Sequence, residues 1–215
     1  MKELLHSSLA FPLGFPELSA TFFPGDRVVL VPDHEMAFEP DIFDEISKIL
    51  VEYGLSPKDI SVILTEEEEK QRRSESILSS FPEVRILFHK SESRDDLALL
   101  GVDINDEPIA LNRELVDADA VISIGRYHSK KKSHKPKNYF GPHSSIFPRF
   151  SDRKTLLRFD AAKGTLRRKL ELEVEEVARQ LGVLFTIQLL RRPGKPDIVV
   201  SGNPELVVEV LEKQV

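Results

Sequence analysis

Cysteine is absent from all 215 positions of the chain. That excludes disulfides, thiolate nucleophiles and thiolate-held metals, and it makes the cytoplasm the expected compartment. Long apolar runs are also missing. No stretch reaches the ~18 residues a membrane span needs, and no basic-then-apolar segment opens the chain as a secretory signal would. A membrane partner is therefore not expected. Nor is there a basic surplus: 36 Asp and Glu outweigh 30 Lys and Arg, for a net charge of −6. Binding along a phosphate backbone needs a basic surface, so nucleic acid is not expected either. Tryptophan is lacking, and 13 phenylalanines carry most of the aromatic content as core and loop packing. What remains is ordinary for a globular domain: 40% hydrophobic and 31% charged residues, enough for a normal core.

Periodicity organises that core. The first 25 residues, rich in Pro and Phe, show no clean period and read as an irregular arm over the core. Arg27 to Asp33 (RVVLVPD) reads as a buried strand, because β-branched residues end abruptly in Pro-Asp. Ile42, Phe43, Ile46, Ile49 and Leu50 recur at helical spacing, and Gly54 stands where a helix stops. The cycle repeats with strands at 59–64, 83–88 and 118–124, a short helix at Ser74–Ser80, a helical or turn segment around Arg94–Leu100, and a small hairpin arm at Glu107–Leu111. Residues 126–155 show no period and read as one long loop, a length that is usually functional or disordered in a compact domain. Beyond it come a charged helix at 165–181 with Leu166, Leu170, Val174, Val177 and Leu181 inward, a hairpin around Arg-Pro-Gly-Lys-Pro, and a last helix capped by Asn203.

The expected fold is α/β: a Rossmann-like parallel sheet with helices on both faces, followed by a small hairpin-and-helix segment. Residues 1–155 form the main domain, and 156–215 pack on it. In such sheets the ligand crevice lies at the carboxyl ends of the strands. Those ends are Asp33-His34, Thr65-Glu66, His89-Lys90 and Gly125-Arg126, which nominates Asp33, His89 and Gly125 for one pocket.

Each candidate has a plain reading beside the functional one. Asp33 is a ligand contact or a turn and cap residue. His34 is a metal candidate or a surface histidine. His128, His134 and His143 share the long loop without zinc-like spacing, so no metal site is assigned. Lys130-Lys131-Lys132, with Lys135 and Lys137, suits a small acidic metabolite or nucleotide, or is a solvated loop tip. Glu66–Glu69 reads as a solvated helix start, where negative charge favours the N-terminal dipole.

Several strings occur in one order: VVLVPDH, LNRELVDADAVISIG, a loop ending HSSIFP, LEVEEVARQLGVLFTIQLL and SGNPELV. In that order and spacing, from about Arg27 to about Val207, the chain resembles the N-terminal half of the nickel-dependent lactate racemases. The resemblance implies a 2-hydroxy acid racemase or epimerase scaffold. Such enzymes move a hydride on and off a nickel-pincer mononucleotide held between two domains, and this sequence stops where the second would develop. Carried over position by position, the match keeps Asp33 as a cofactor contact and His134 as one acid/base imidazole, with His89 on a histidine of the family's N-H-D segment. The lysine that tethers the cofactor falls on Ser144. The nickel-binding histidine falls near Asp160, an arginine falls on Met36, and the loop of the second acid/base histidine is replaced by Thr65 and the glutamates after it. The resemblance therefore implies the family fold and crevice with the cofactor not retained. The alternative is a non-catalytic small-molecule or nucleotide-binding domain of the same ancestry.

Overall fold

The computed structural model describes residues 1–71, 83–103, 106–129, 142–183 and 185–215. The expected helix at Ser74–Ser80 and the stretch containing Lys130–Lys132 and His134 lie outside these residues.

Helix α1 (Lys2–Ala10) opens the chain, where an irregular arm was expected. Leu5 and Leu9, four residues apart, are its buried stripe against the core. Strand β1 (Val28–Pro32) is buried along its whole length, as a strand covered on both faces must be. Helix α2 (Pro40–Glu52) follows. Its end is a Schellman turn: Gly54 at φ +101° donates to Val51 O, and Leu55 N–H donates back to Leu50 O. Then come β2 (Ile60–Thr65), the short α3 (Glu66–Gln71) and β3 (Arg85–His89). Strands β4 (Leu97–Val102) and β5 (Pro108–Asn112) pair antiparallel as a separate hairpin. The segment expected as helix or turn near Arg94–Leu100 is thus one tight turn and then strand β4.

After α4 (Arg113–Val116) and β6 (Ala120–Arg126), the chain returns at Pro142. The return is not loop in character. Ile146, Phe147 and Phe150 are fully buried, and Asp152 caps α5 (Arg153–Ala161) by accepting from Thr155 N–H at 3.0 Å. The expected loop to residue 155 therefore ends well before that point. Helix α6 (Gly164–Gln180) buries Leu170, Val174 and Val177 as expected, but Leu166 is 45% exposed because the first turn overhangs the core. Strands β7 (Phe185–Leu190) and β8 (Ile198–Gly202) and helix α7 (Pro204–Glu212) complete the chain, with Asn203 accepting from Glu205 and Leu206 N–H as cap.

The six-stranded sheet runs β3-β2-β1-β6-β7-β8. All its pairings are parallel except β7 with β8. Val28 and Leu30 face the cluster built with α1 and α2, while Val29 and Val31 face Ile146, Phe150 and Ala178 on the other side. Strand order reverses between β1 and β6, so the crevice that such sheets offer ligands opens at their carboxyl ends.

Candidate functional site

Asp33 sits at that reversal. Its N–H donates to Ile124 O, and its carboxylate accepts Met36 N–H at 2.7 Å and Arg126 N–H at 2.6 Å. Burial pushes its carboxyl above the usual carboxylate range, and these two N–H donors only partly offset the effect. The carboxylate lies over Gly125, where a Cβ would come within 2.9 Å of Asp33 Oδ2. Gly125 thus serves the site by its lack of a side chain. Its open face belongs to a small apolar pocket with Met36, Ile124 and Ile187, not to the main crevice.

That crevice is a cleft of about 570 Å³ at the ends of β1, β2 and β3, closed by the Ser144–Arg149 turn and by α5. The size suits a small molecule. Asp33 and His89 both line it. His89 is buried, and both ring nitrogens are engaged: Nε2 lies 2.9 Å from Ser151 O and Nδ1 lies 3.2 Å from Asn112 Nδ2. A carbonyl only accepts, so Nε2 carries the hydrogen and Nδ1 takes one from Asn112. Burial lowers the pKa of the ring, favouring the neutral form. His89 ties β3 to the Pro148–Ser151 turn and to the cap of α4, since Asn112 Oδ1 also accepts Glu114 N–H.

Of the three histidines of the long loop, two are among the described residues. His128 pairs with Glu35 at 3.1 Å. His143 is driven down to a pKa of about 4 by burial, with no hydrogen-bond partner on Nδ1. His134 lies outside the described residues. Among the described residues no group of three or more His, Asp or Glu is placed to hold a metal ion.

Two cleft residues were not nominated from the sequence. Glu68, expected to be solvated, is fully buried beneath the start of α3. It forms a capping box with Thr65: Glu68 Oε2 accepts Thr65 N–H at 2.9 Å, and Glu68 N–H reaches back to Thr65 Oγ1 at 3.4 Å. Arg149 donates to Glu68 Oε1 and to Pro32 O and lies over the Phe150 ring, 5.1 Å from its centroid. The Thr-x-x-Glu signal was readable in the sequence. The half-buried arginine that pairs with the glutamate was not.

Thr65, Glu66, Ser144 and Asp160, four positions that the lactate racemase resemblance singles out, line this same cleft. Fold and cleft together define an α/β crevice domain that opens at a strand-order reversal. Residues 1–166 match the lactate racemase N-terminal domain family, and the chain belongs to that family. Among solved structures it is similar to the lactate racemase apoprotein from Thermoanaerobacterium thermosaccharolyticum, with a TM-score of 0.67 at 16% identity over 99% of this chain and 54% of that one. It is also similar to a Thermotoga maritima protein, with a TM-score of 0.60 at 16% identity over 100% of this chain and 58% of that one. The chain thus spans little more than half the length of either, and at this identity the likeness is one of fold. No curated protein matches the chain.

Proposed function

We propose that this domain keeps the family's crevice as a small-molecule site while lacking the residues for nickel-pincer hydride chemistry. One observation carries the reading. The cleft wall presents Ser144 where the resemblance puts the tether lysine, Asp160 where it puts the nickel imidazole, and Thr65-Glu66 in place of the second acid/base histidine. A hydroxyl offers no amine for the tether. A carboxylate is a harder donor, suited to magnesium or manganese more than to nickel. The donor set does not fit the family's cofactor. The ligand class we favour is a small acidic metabolite or a nucleotide, supported by the flanks of the Lys-rich stretch: His128 before it and Ser144 after it both line the cleft.

The test is the intact mass and nickel content of protein co-expressed with the family's cofactor-assembly proteins. Unmodified mass without stoichiometric nickel is expected, and a covalent nucleotide adduct carrying nickel would overturn the reading. A thermal-shift panel of nucleoside monophosphates and 2-hydroxy acids tests the binding half. A ligand at a hundredfold excess over its Kd adds about 2.7 kcal/mol of stability.

A further inference from the structure

Arg126 meets the main cleft through its backbone, whose N–H donates to Asp33 Oδ2 at 2.6 Å. Its side chain lines a second pocket, of about 210 Å³, at the carboxyl ends of β6 and β7. Ser129, Leu190 and Arg191 line that pocket too, and Glu35 and His128 form a wall shared with the main cleft. Complete small-molecule sites begin at about 300 Å³. The smaller volume suits one group of a larger ligand.

Two guanidiniums set the chemistry of this pocket. Arg126 donates through Nη1 to Glu35 Oε2 at 2.8 Å and through Nη2 to Glu39 Oε1 at 2.9 Å. Arg191 donates through Nη2 to the same Glu39 oxygen at 3.3 Å and through Nη1 to Asp197 Oδ2 at 2.7 Å. One carboxylate oxygen thus bridges both arginines. Glu39 stands at the N-cap of α2, yet its side chain makes no cap bond there. The pairing leaves one donor over: Arg126 Nε–H is buried and meets no acceptor. A buried charged donor in that state is costly and rare. Nε and Nη2 share one edge of the guanidinium, the fork that receives two oxygens of a single carboxylate or phosphate. Glu39 fills half of it.

We propose that this pocket is an oxyanion subsite of the crevice, with Arg126 and Arg191 as its binding residues and the Glu39 carboxylate as a built-in counter-ion that a ligand's acidic group displaces. The incoming phosphate or carboxylate takes the place of Glu39 on Nη2 of both arginines and sets a second oxygen on Arg126 Nε. Exchanging one anion for another keeps the guanidiniums neutralised, so the three carboxylates around them do not bar the site. The remainder of the ligand crosses the shared wall into the main cleft. That last step rests on the main cleft being the small-molecule site; the subsite does not, and a simple inorganic anion tests it alone.

The test follows the Nε–H signals of Arg126 and Arg191 by NMR as inorganic phosphate or acetate is added at constant ionic strength. Saturable shifts of both signals are expected with at least one of the two anions, and which one binds tells phosphate from carboxylate. Affinity for that anion is expected to rise several-fold in Glu39→Gln, where the internal competitor has lost its charge, and to fall several-fold in Arg191→Ala. Shifts that do not saturate with either anion, or an affinity that Glu39→Gln leaves unchanged, would overturn the proposal. Should Glu39→Gln not fold, the wild-type titration decides by whether the Arg126 Nε–H signal moves and saturates. A subsite that binds its anion while no nucleotide or 2-hydroxy acid displaces it would refute the main-cleft reading and leave the subsite standing.

Discussion

Arg149 is the residue on which most of the cleft wall depends. It neutralises Glu68, holds the end of β1 through Pro32 O and lies against Phe150. Replacing it with methionine keeps bulk but leaves an uncompensated buried carboxylate, which costs about 3–5 kcal/mol when one partner of such a pair is removed. Urea denaturation of Arg149→Met at neutral pH should show a loss of that size. The sign with pH follows from Glu68, whose folded pKa is lowered. Its contribution is full above its ordinary value and is lost as pH falls through the folded one. The gap between wild type and Arg149→Met should therefore narrow in acid. His143 acts in a different window. Its pKa falls from 6.5 to about 4 on folding, so stability drops as pH goes from 6.5 towards 4 while the unfolded chain takes up the proton. His143→Leu should flatten that part of the stability–pH curve by one proton's slope. An unchanged slope would mean that the ring is not buried in solution.

At the scale of elements, the edge strand β8 is covered by the N-terminal segment. Leu13 N–H donates to Ser201 O, and Asn203 N–H donates to Leu13 O. Gly202, at φ +130°, lies so close that a Cβ would run into the Leu13 backbone. Gly202→Ala should cost more than about 1 kcal/mol, since both the positive φ and the contact oppose it. Asn203→Ala, which removes only the α7 cap, should cost about 1 kcal/mol. Amide exchange near Leu13 separates them, being faster in the first variant alone. These elements also show what the sequence could tell. Strand β1, helix α2 with its Gly54 stop, and α7 with its Asn203 cap were readable because local pattern and tertiary burial agree there. The return through Ile146, Phe147 and Phe150 was not, because its apolar residues follow no regular period and are buried only by elements distant in sequence or still to come: the sheet, β5, α5 and α6. Helix α1 was obscured by the Pro- and Phe-rich stretch after it, although Leu5 and Leu9 already had helical spacing. At the candidate site, the strand ends pointed to Asp33, Gly125 and His89 through topology alone. Glu68 and Arg149 are 81 residues apart and meet only in the folded chain.

The whole molecule has the family's fold, and the proposed reading joins that fold to an altered set of side chains. The parallel sheet, the reversal between β1 and β6 and the cleft at their carboxyl ends belong to the scaffold. Activity would depend on groups mounted on it. Ser144, Asp160 and Glu66 line the cleft; on the proposed reading they stand in place of the amine and imidazoles of the racemase reaction, and acid/base groups are typically worth ~10²–10⁴-fold each. The central claim, that crevice and nickel-pincer chemistry are separated in this chain, is tested most directly by a chiral lactate assay. The protein is co-expressed with the family's cofactor-assembly proteins, supplied with nickel, and compared with its His134→Ala variant. No interconversion of D- and L-lactate above the background of the variant is predicted. Racemisation that disappears in His134→Ala would contradict the account.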